Sequence, residues 1–244
     1  SGTGAKMYNI KHIYFQTAPM PYETVAAGDW SATDTWLHGD VWDITDETNN
    51  KDWSIVHIKN DVTTSNRHGT LGLISDANTE LEINNDQELY NTWYLKLDGF
   101  IDLEGESQLT QNETSNLFVG ANGKLERDQQ GTENKYTYNY WSSPVHSSVS
   151  SIPVDGTETY TIEDVMLDGT EASSPEAITF IGGYDGSNLS SPISIAEYWL
   201  WKFVNNAEGE YSEWEKIYSN TANKVGEGYT MKGPGNGPET NDHN

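Results

Sequence analysis

Three segments, Leu81-Glu82-Ile83, Leu95-Lys96-Leu97 and Ile101-Asp102-Leu103, alternate apolar and charged residues between turn-forming corners, and this alternation constrains the fold more than any other feature. A period of two puts one face of each segment in a core and the other in water, as in a half-buried strand. Further short segments of this kind are Trp53 to Ile58, Leu71 to Ile74, Tyr94 to Leu97, Leu117 to Val119 and Lys124 to Glu126. Between them lie Ser75-Asp76-Ala77-Asn78, Asn84-Asn85-Asp86, Asp98-Gly99, Glu104-Gly105 and Ala121-Asn122-Gly123. These are turn signals, because Gly and Asn tolerate positive φ and Asp and Asn bond their own backbone. Short strands with polar corners predict a short parallel β-helix over Asp52 to Gln130, its inward Leu, Ile and Val stacked into a ladder. An antiparallel sandwich stays open as the competing reading, since Asp-Gly and Asn-Gly favour two-residue hairpins and the repeat length is irregular.

The rest of the chain reads as further strands. Ile10 to Thr17 has strand composition and ends at Pro19 and Pro21. Trp30, Trp36 and Trp42 follow among turn residues, as a cap on a core. The aromatic run Tyr136 to Val145 marks a junction between two sequence grammars. Downstream, Glu158 to Ile162, Ala177 to Ile181, Ile195 to Val204 and Tyr229 to Lys232 read as strands; in the third, Ile195, Trp199, Trp201 and Phe203 share a face. Glu210 to Ser219 suits one short helix or a strand. The expected fold is therefore all-β: a short N-terminal parallel β-helix (solenoid) with an N-terminal strand and Trp-rich cap over 1–135, a C-terminal β-sandwich-like domain over 136–233, and a linker or truncated tail over 234–244.

Composition narrows the function classes. Nine Trp and fourteen Tyr among 244 residues offset a hydrophobic share of 34%, so the chain is expected to fold. A formal net charge of −25 repels polyanions, which argues against nucleic acid and anionic membrane surfaces as partners. No run is long enough to insert directly into a bilayer. Cysteine is absent, which removes disulfides, thiolate nucleophiles and cysteine-ligated zinc together. Abundant Asn, Thr, Ser and Gly with few Lys suit an exported protein that folds without redox help.

Three stretches in order, Leu103 to Gln111 (with Ser107-Gln108-Leu109-Thr110-Gln111), Glu126 to Gly131 and Tyr138 to Val145, carry a resemblance that continues through Phe180 to Gly186, Tyr198 to Phe203 and Gly226 to Gly233. Together they resemble a surface or adhesin-like region of large type IX-secreted Bacteroidota proteins, over roughly Trp30 to Gly233. The resemblance implies an extracellular, cell-surface location and a long multidomain parent of which this chain is a fragment. It brings no catalytic residue.

Candidate sites each have a structural counterpart. Gln108, Gln111, Arg127 and Gln129 suit a polar ladder bonding successive coils, or a ligand groove. Tyr136, Tyr138, Tyr140 and Trp141 suit a plug sealing the solenoid against the C-terminal half, or stacking platforms for sugar rings; Trp199 and Trp201 are further aromatic candidates for a glycan. Asp164, Asp168, Asp185 and Asn188 offer hard oxygen ligands for calcium, or ordinary turn bonds. The six His are scattered, Ser142 and Ser143 lack a glycine-flanked elbow, and 38 acidic residues make any carboxylate pair uninformative. The resulting expectation is a non-enzymatic module of an exported bacterial surface protein, an adhesin or extracellular fibre or stalk component, whose partners are other copies or domains of the same surface protein and possible glycans. A carbohydrate-binding module using exposed aromatics, with or without calcium, is the alternative, and a polysaccharide-active β-helix enzyme the third reading.

Overall fold

The computed structural model describes residues 20–42, 45–46, 51–147, 157–170, 174–204, 213–235 and 242–243. It is nearly all β, with a solenoid of about three turns followed by separate antiparallel sheets. The strand read at Ile10 to Thr17 lies outside the described residues.

The solenoid is parallel, not a sandwich. One face stacks β2 (Gly28–Asp29), β4 (Val62–Thr64), β6 (Glu80–Ile83), β8 (Phe100–Leu103) and β11 (Lys124–Arg127). The other sheet contains β1 (Met20–Glu23), β3 (Ser54–Ile58), β5 (His68–Ser75), β7 (Glu88–Leu97), β9 (Gln108–Gln111) and β10 (Asn116–Val119). β7 serves two faces: its first half pairs β9 and its second half pairs β10. β5 has a register shift between Thr70 and Gly72 at the corresponding bend. Each coil therefore has three sides.

In-register pairing places like residues above one another. Val62, Leu81, Ile101 and Leu125 form one inward column, and Tyr22, Val56, Leu73, Leu95 and Leu117 another. Val56, Leu73, Leu81 and Ile101 are fully buried. This is the ladder expected from the alternation, and at roughly 1.5 to 3 kcal/mol per buried aliphatic side chain it is the main source of solenoid stability.

A second column is polar. Thr70, Asn91 and Gln111 share register at the bend. Asn91 Nδ2 donates to Thr70 Oγ1 at 3.1 Å and to the Tyr94 carbonyl at 2.9 Å, and Ser115 Oγ donates to Asn91 Oδ1 at 3.0 Å. Gln111 Nε2 donates to Ser115 Oγ at 3.2 Å. The expected inter-coil polar ladder exists, but of the four residues named from sequence only Gln111 belongs to it. The side chains of Gln108, Arg127 and Gln129 are exposed instead.

Corners follow the turn residues. Asn78, Asn85, Asp86 and Gly105 have positive φ, the conformation those residue types tolerate best. At Gly99 and Gly123 a Cβ would collide with carbonyl oxygens of the coil below, so coil stacking itself requires glycine. Of the three cap tryptophans, Trp30 and Trp36 are buried and Trp42 is exposed. Trp30 stacks on His68 with centroids 4.3 Å apart, and Trp36 packs edge-on to Trp30, closing the N-terminal end of the core.

The C-terminal part has its own core of Tyr160, Ile162, Ile195, Leu200, Ile217, Tyr229 and Met231. Its largest sheet orders β12 (Tyr138–Trp141), β15 (Tyr229–Lys232), β13 (Trp201–Phe203) and β14 (Trp214–Lys216). Ile195 to Val204 is not one strand: a 3-10 turn over Glu197–Trp199 separates Ser194–Ala196 from β13, so the period-two face assigned to Trp199 breaks there. Glu158 to Ile162 likewise ends as strand at Tyr160, and a short helix begins at Ile162. Of the helix-or-strand alternatives at Glu210 to Ser219, β14 shows the strand. In the segment read as a tail, Asp242–His243 pairs antiparallel with Gly131–Thr132.

Truncating a column residue tests the ladder. Ile101→Ala is expected to lower the unfolding free energy by about 3 kcal/mol in urea titration, because the coils above and below hold the cavity open. Asn91→Ala is expected to cost about 1 to 3 kcal/mol by stranding its buried partners.

Candidate functional site

Antiparallel pairing assigns the faces of the C-terminal sheet. Directly paired residues share a side, so Tyr138 with Lys232, Tyr140 with Thr230, Trp201 with Lys216, and Phe203 with Trp214 all lie on one face. Trp201 is also paired with Thr230, which joins the two halves of the row. The opposite face carries Trp141, Tyr229 and Met231 and packs on the C-terminal core.

The first face is a surface of aromatic rings. Tyr140 is 77% exposed, and Tyr138, Phe203 and Trp214 are exposed as well. Tyr140, Phe203 and Trp214 line a concavity of about 500 Å³ together with Thr230, Gly228 and, from the other side of the strands, Trp141 and Tyr229. Phe203 and Trp214 meet edge to face at 5.5 Å. At the other end Lys232 Nζ sits 3.5 Å from the Trp199 ring centre and 4.9 Å from that of Tyr138. Tyr198 and Tyr184 complete this end, with Tyr198 4.7 Å from Trp199 and Tyr184 4.6 Å from Tyr198.

The rings are held from behind. Trp199 Nε1 donates to the Tyr184 carbonyl at 2.6 Å, and Trp201 Nε1 to the Tyr198 carbonyl at 3.0 Å. Lys216 Nζ donates to the carbonyls of Ile217 and Leu200 at 2.7 and 3.2 Å, and to that of Glu197. Burial holds its pKa below the usual lysine range. Lys216 therefore fixes the turn that presents Trp201.

These positions correct the expected seal. Tyr136 and Tyr140 are among the most exposed rings, and Trp141, though half-buried, packs against the C-terminal core and not the solenoid core. The structure brings Tyr138, Tyr140 and Trp201 onto one face, with Trp199 beside Tyr138; strand alternation puts Trp141 on the other face, yet it lines both concavities with Tyr140. Phe203, Trp214, Tyr184, Tyr198 and Lys232 were not singled out as site residues. The alternation of Trp201 and Phe203 was the available signal for one of them, whereas Trp214 carried a three-residue spacing that pointed to a helix.

A second concavity, of about 800 Å³, lies between Tyr140, Trp141 and the solenoid corner bearing Asp86, Glu104 and Asp128. Burial raises the Glu104 pKa, and the hydrogen-bonded Asp128 carboxylate raises it further. Nearby, register stacks Glu82, Asp102 and Glu126 into one outward column. Burial, then the Glu126 and Glu104 carboxylates, pushes Asp102 up to about 7.

The calcium candidates are otherwise engaged. Thr161 Oγ1 donates to Asp164, Thr170 and the Ile193 N–H donate to Asp168, Lys135 pairs with Asp185 at 3.2 Å, and Asn188 donates to Glu133. Among the described residues no group of three or more His, Cys, Asp or Glu side chains is placed to hold a metal. Nor is any described helix long and apolar enough to cross a membrane.

No protein-family model, curated protein or solved structure matches the chain.

The carboxylate column gives a pH prediction. Because Asp102 is more basic in the folded state, folding is favoured while it is protonated, and this contribution is lost as pH rises from about 4 through about 7. The lowered pKa values of Glu23 and Asp29 act in the opposite sense only at more acidic pH. The melting temperature is therefore expected to rise on going from pH 8 to pH 5.5, and Asp102→Asn to raise it at pH 8 while flattening the profile in scanning calorimetry.

Proposed function

We propose that the chain is a non-enzymatic glycan-binding module of an exported bacterial surface protein, in which the solenoid is a spacer and the aromatic face of the C-terminal sheet is the contact surface. The observation that carries this reading is Tyr140, 77% exposed on the same face as Trp201, Phe203 and Trp214 and bordering both concavities. A soluble domain rarely presents so many large rings together without a partner. Sugar rings match such a surface: their C–H faces pack on aromatic faces, and their hydroxyls use the polar rim. Calcium is not required for contacts of this kind.

The surface location rests on the Asn-, Thr-, Ser- and Gly-rich, Lys-poor composition and on the resemblance to type IX-secreted adhesin-like regions. The second concavity carries the carboxylates Asp86, Glu104, Glu106 and Asp128 beside Tyr140, so turnover of a polysaccharide is the measurement that separates binding from glycoside hydrolysis.

Glycan-array and titration measurements test this directly. Tyr140→Ala and Trp214→Ala are each expected to weaken binding roughly tenfold, about 1.4 kcal/mol, with the melting temperature unchanged for Tyr140→Ala, whose ring is 77% exposed, and slightly lowered for Trp214→Ala, which loses its edge-to-face contact with Phe203. Turnover of a polysaccharide, or array binding indifferent to both substitutions, would refute the proposal.

A further inference from the structure

Tyr140 and Trp141 line both concavities, so the two adjoin across β12. One side of this ridge is aromatic, with Phe203 and Trp214; the other is polar and is built by the last coils of the solenoid. At about 500 and about 800 Å³, each is within the roughly 300 to 1,000 Å³ of a site for a drug-sized ligand. A single sugar ring fills neither. A ligand that uses both must be a chain, and it crosses Tyr140 on its way.

Register explains how Arg127 enters the polar side. It stands opposite Leu103, at the end of the inward column of Thr64, Ile83 and Leu103. Inside a coil a guanidinium would be buried at heavy cost, but β11 belongs to the last coil, and there the side chain is exposed and lines the second concavity. Among the described residues it makes no ion pair or hydrogen bond. The rest of the wall is fixed. Gly105 turns the corner with positive φ, and the Glu106 N–H donates to Asp86 Oδ1 at 2.8 Å. On β12, Asn139 Oδ1 accepts from the Thr132 N–H at 2.8 Å and its Nδ2 donates to the Thr132 carbonyl at 3.1 Å.

A sugar hydroxyl both donates and accepts. This wall offers it carboxylate oxygens as acceptors and the Arg127 N–H groups as donors, beside the Tyr140 ring. Charge then selects the sugar. The carboxylates of Asp86, Glu104, Glu106 and Asp128 outnumber the Arg127 cation, in a chain of net charge −25, so chains of uronates or sulfated sugars are repelled. A polycation would meet Arg127 in this wall and Lys232 on the aromatic face.

Resting on the glycan-binding reading, we infer that the ligand is an uncharged glycan chain bound at internal sugars, crossing Tyr140 from the Phe203–Trp214 concavity to the solenoid corner, with Arg127 its contact there. The two sides divide the work. The aromatic side supplies apolar area, and the polar side supplies directional bonds that decide which hydroxyls are accepted. The solenoid thus takes part in recognition besides acting as a spacer.

Titration calorimetry on the full chain tests this with neutral β-glucan, xylan and mannan oligosaccharides of roughly two to six sugars, with alginate as the anionic and chitosan as the cationic control. In the neutral series that binds, affinity is expected to rise at least roughly tenfold from the shortest to the longest member. It is expected to be the same at about 20 and about 150 mM salt, since no charge on the ligand is there to be screened. Arg127→Ala is expected to bring the longest chain down to the affinity of the shortest, to leave the shortest unchanged, and to keep the melting temperature, because the side chain is exposed. Affinity independent of length, or a gain with length that survives Arg127→Ala, would overturn the inference and leave the glycan-binding reading in place. Preference for alginate or chitosan would do the same. If no chain of any charge binds, the reading and the inference fall together.

Discussion

Everything particular to this molecule depends on the parallel register of its coils. Once Val62, Leu81, Ile101 and Leu125 lie above one another, the chain has little freedom to mix residue types within a column. The same constraint that packs aliphatics inside also stacks Glu82, Asp102 and Glu126 outside, where like charges sit one strand spacing apart. The solenoid thus combines a strongly favourable interior with an outer column that opposes it. The elevated Asp102 pKa is the signature of that conflict.

The C-terminal sheet follows a different logic. Its antiparallel pairing puts one face on a compact core and leaves the other unburied, and that free face is where the rings collect. Support comes from backbone carbonyls: Lys216 and the indole nitrogens of Trp199 and Trp201 are held by main chain, so ring orientation does not depend on flexible side-chain pairs. Such a surface is organised before any ligand arrives, and preorganisation reduces the entropy lost on binding.

How much of this was legible in the sequence differs by element. The solenoid was readable because alternation in Leu81-Glu82-Ile83 and Ile101-Asp102-Leu103 is a local signal, and the corner residues at Asn78, Asn85 and Gly105 have local conformational reasons. The polar ladder was readable only in kind, because Asn91 and Ser115 meet through coil stacking, which no single segment encodes. The aromatic site was half visible: Tyr138, Tyr140, Trp199 and Trp201 stand out by composition, but which side each takes depends on pairing between segments far apart in the chain. A 3-10 turn at Glu197–Trp199 is enough to defeat the period-two extrapolation, and Trp141 is separated from Tyr140 by nothing more than strand alternation.

Asn91 has a consequence for how such a chain can change over time. Its amide bonds to the coil on one side through Thr70 and to the coil on the other through Ser115, so it reads the positions of both neighbours at once. A slip by one residue would turn the amide outward and leave both partners stranded. Insertions that keep the register must therefore enter at corners or arrive as complete coils. Length along the solenoid axis is in that sense inherited in discrete steps, with a single buried side chain acting as the proofreader.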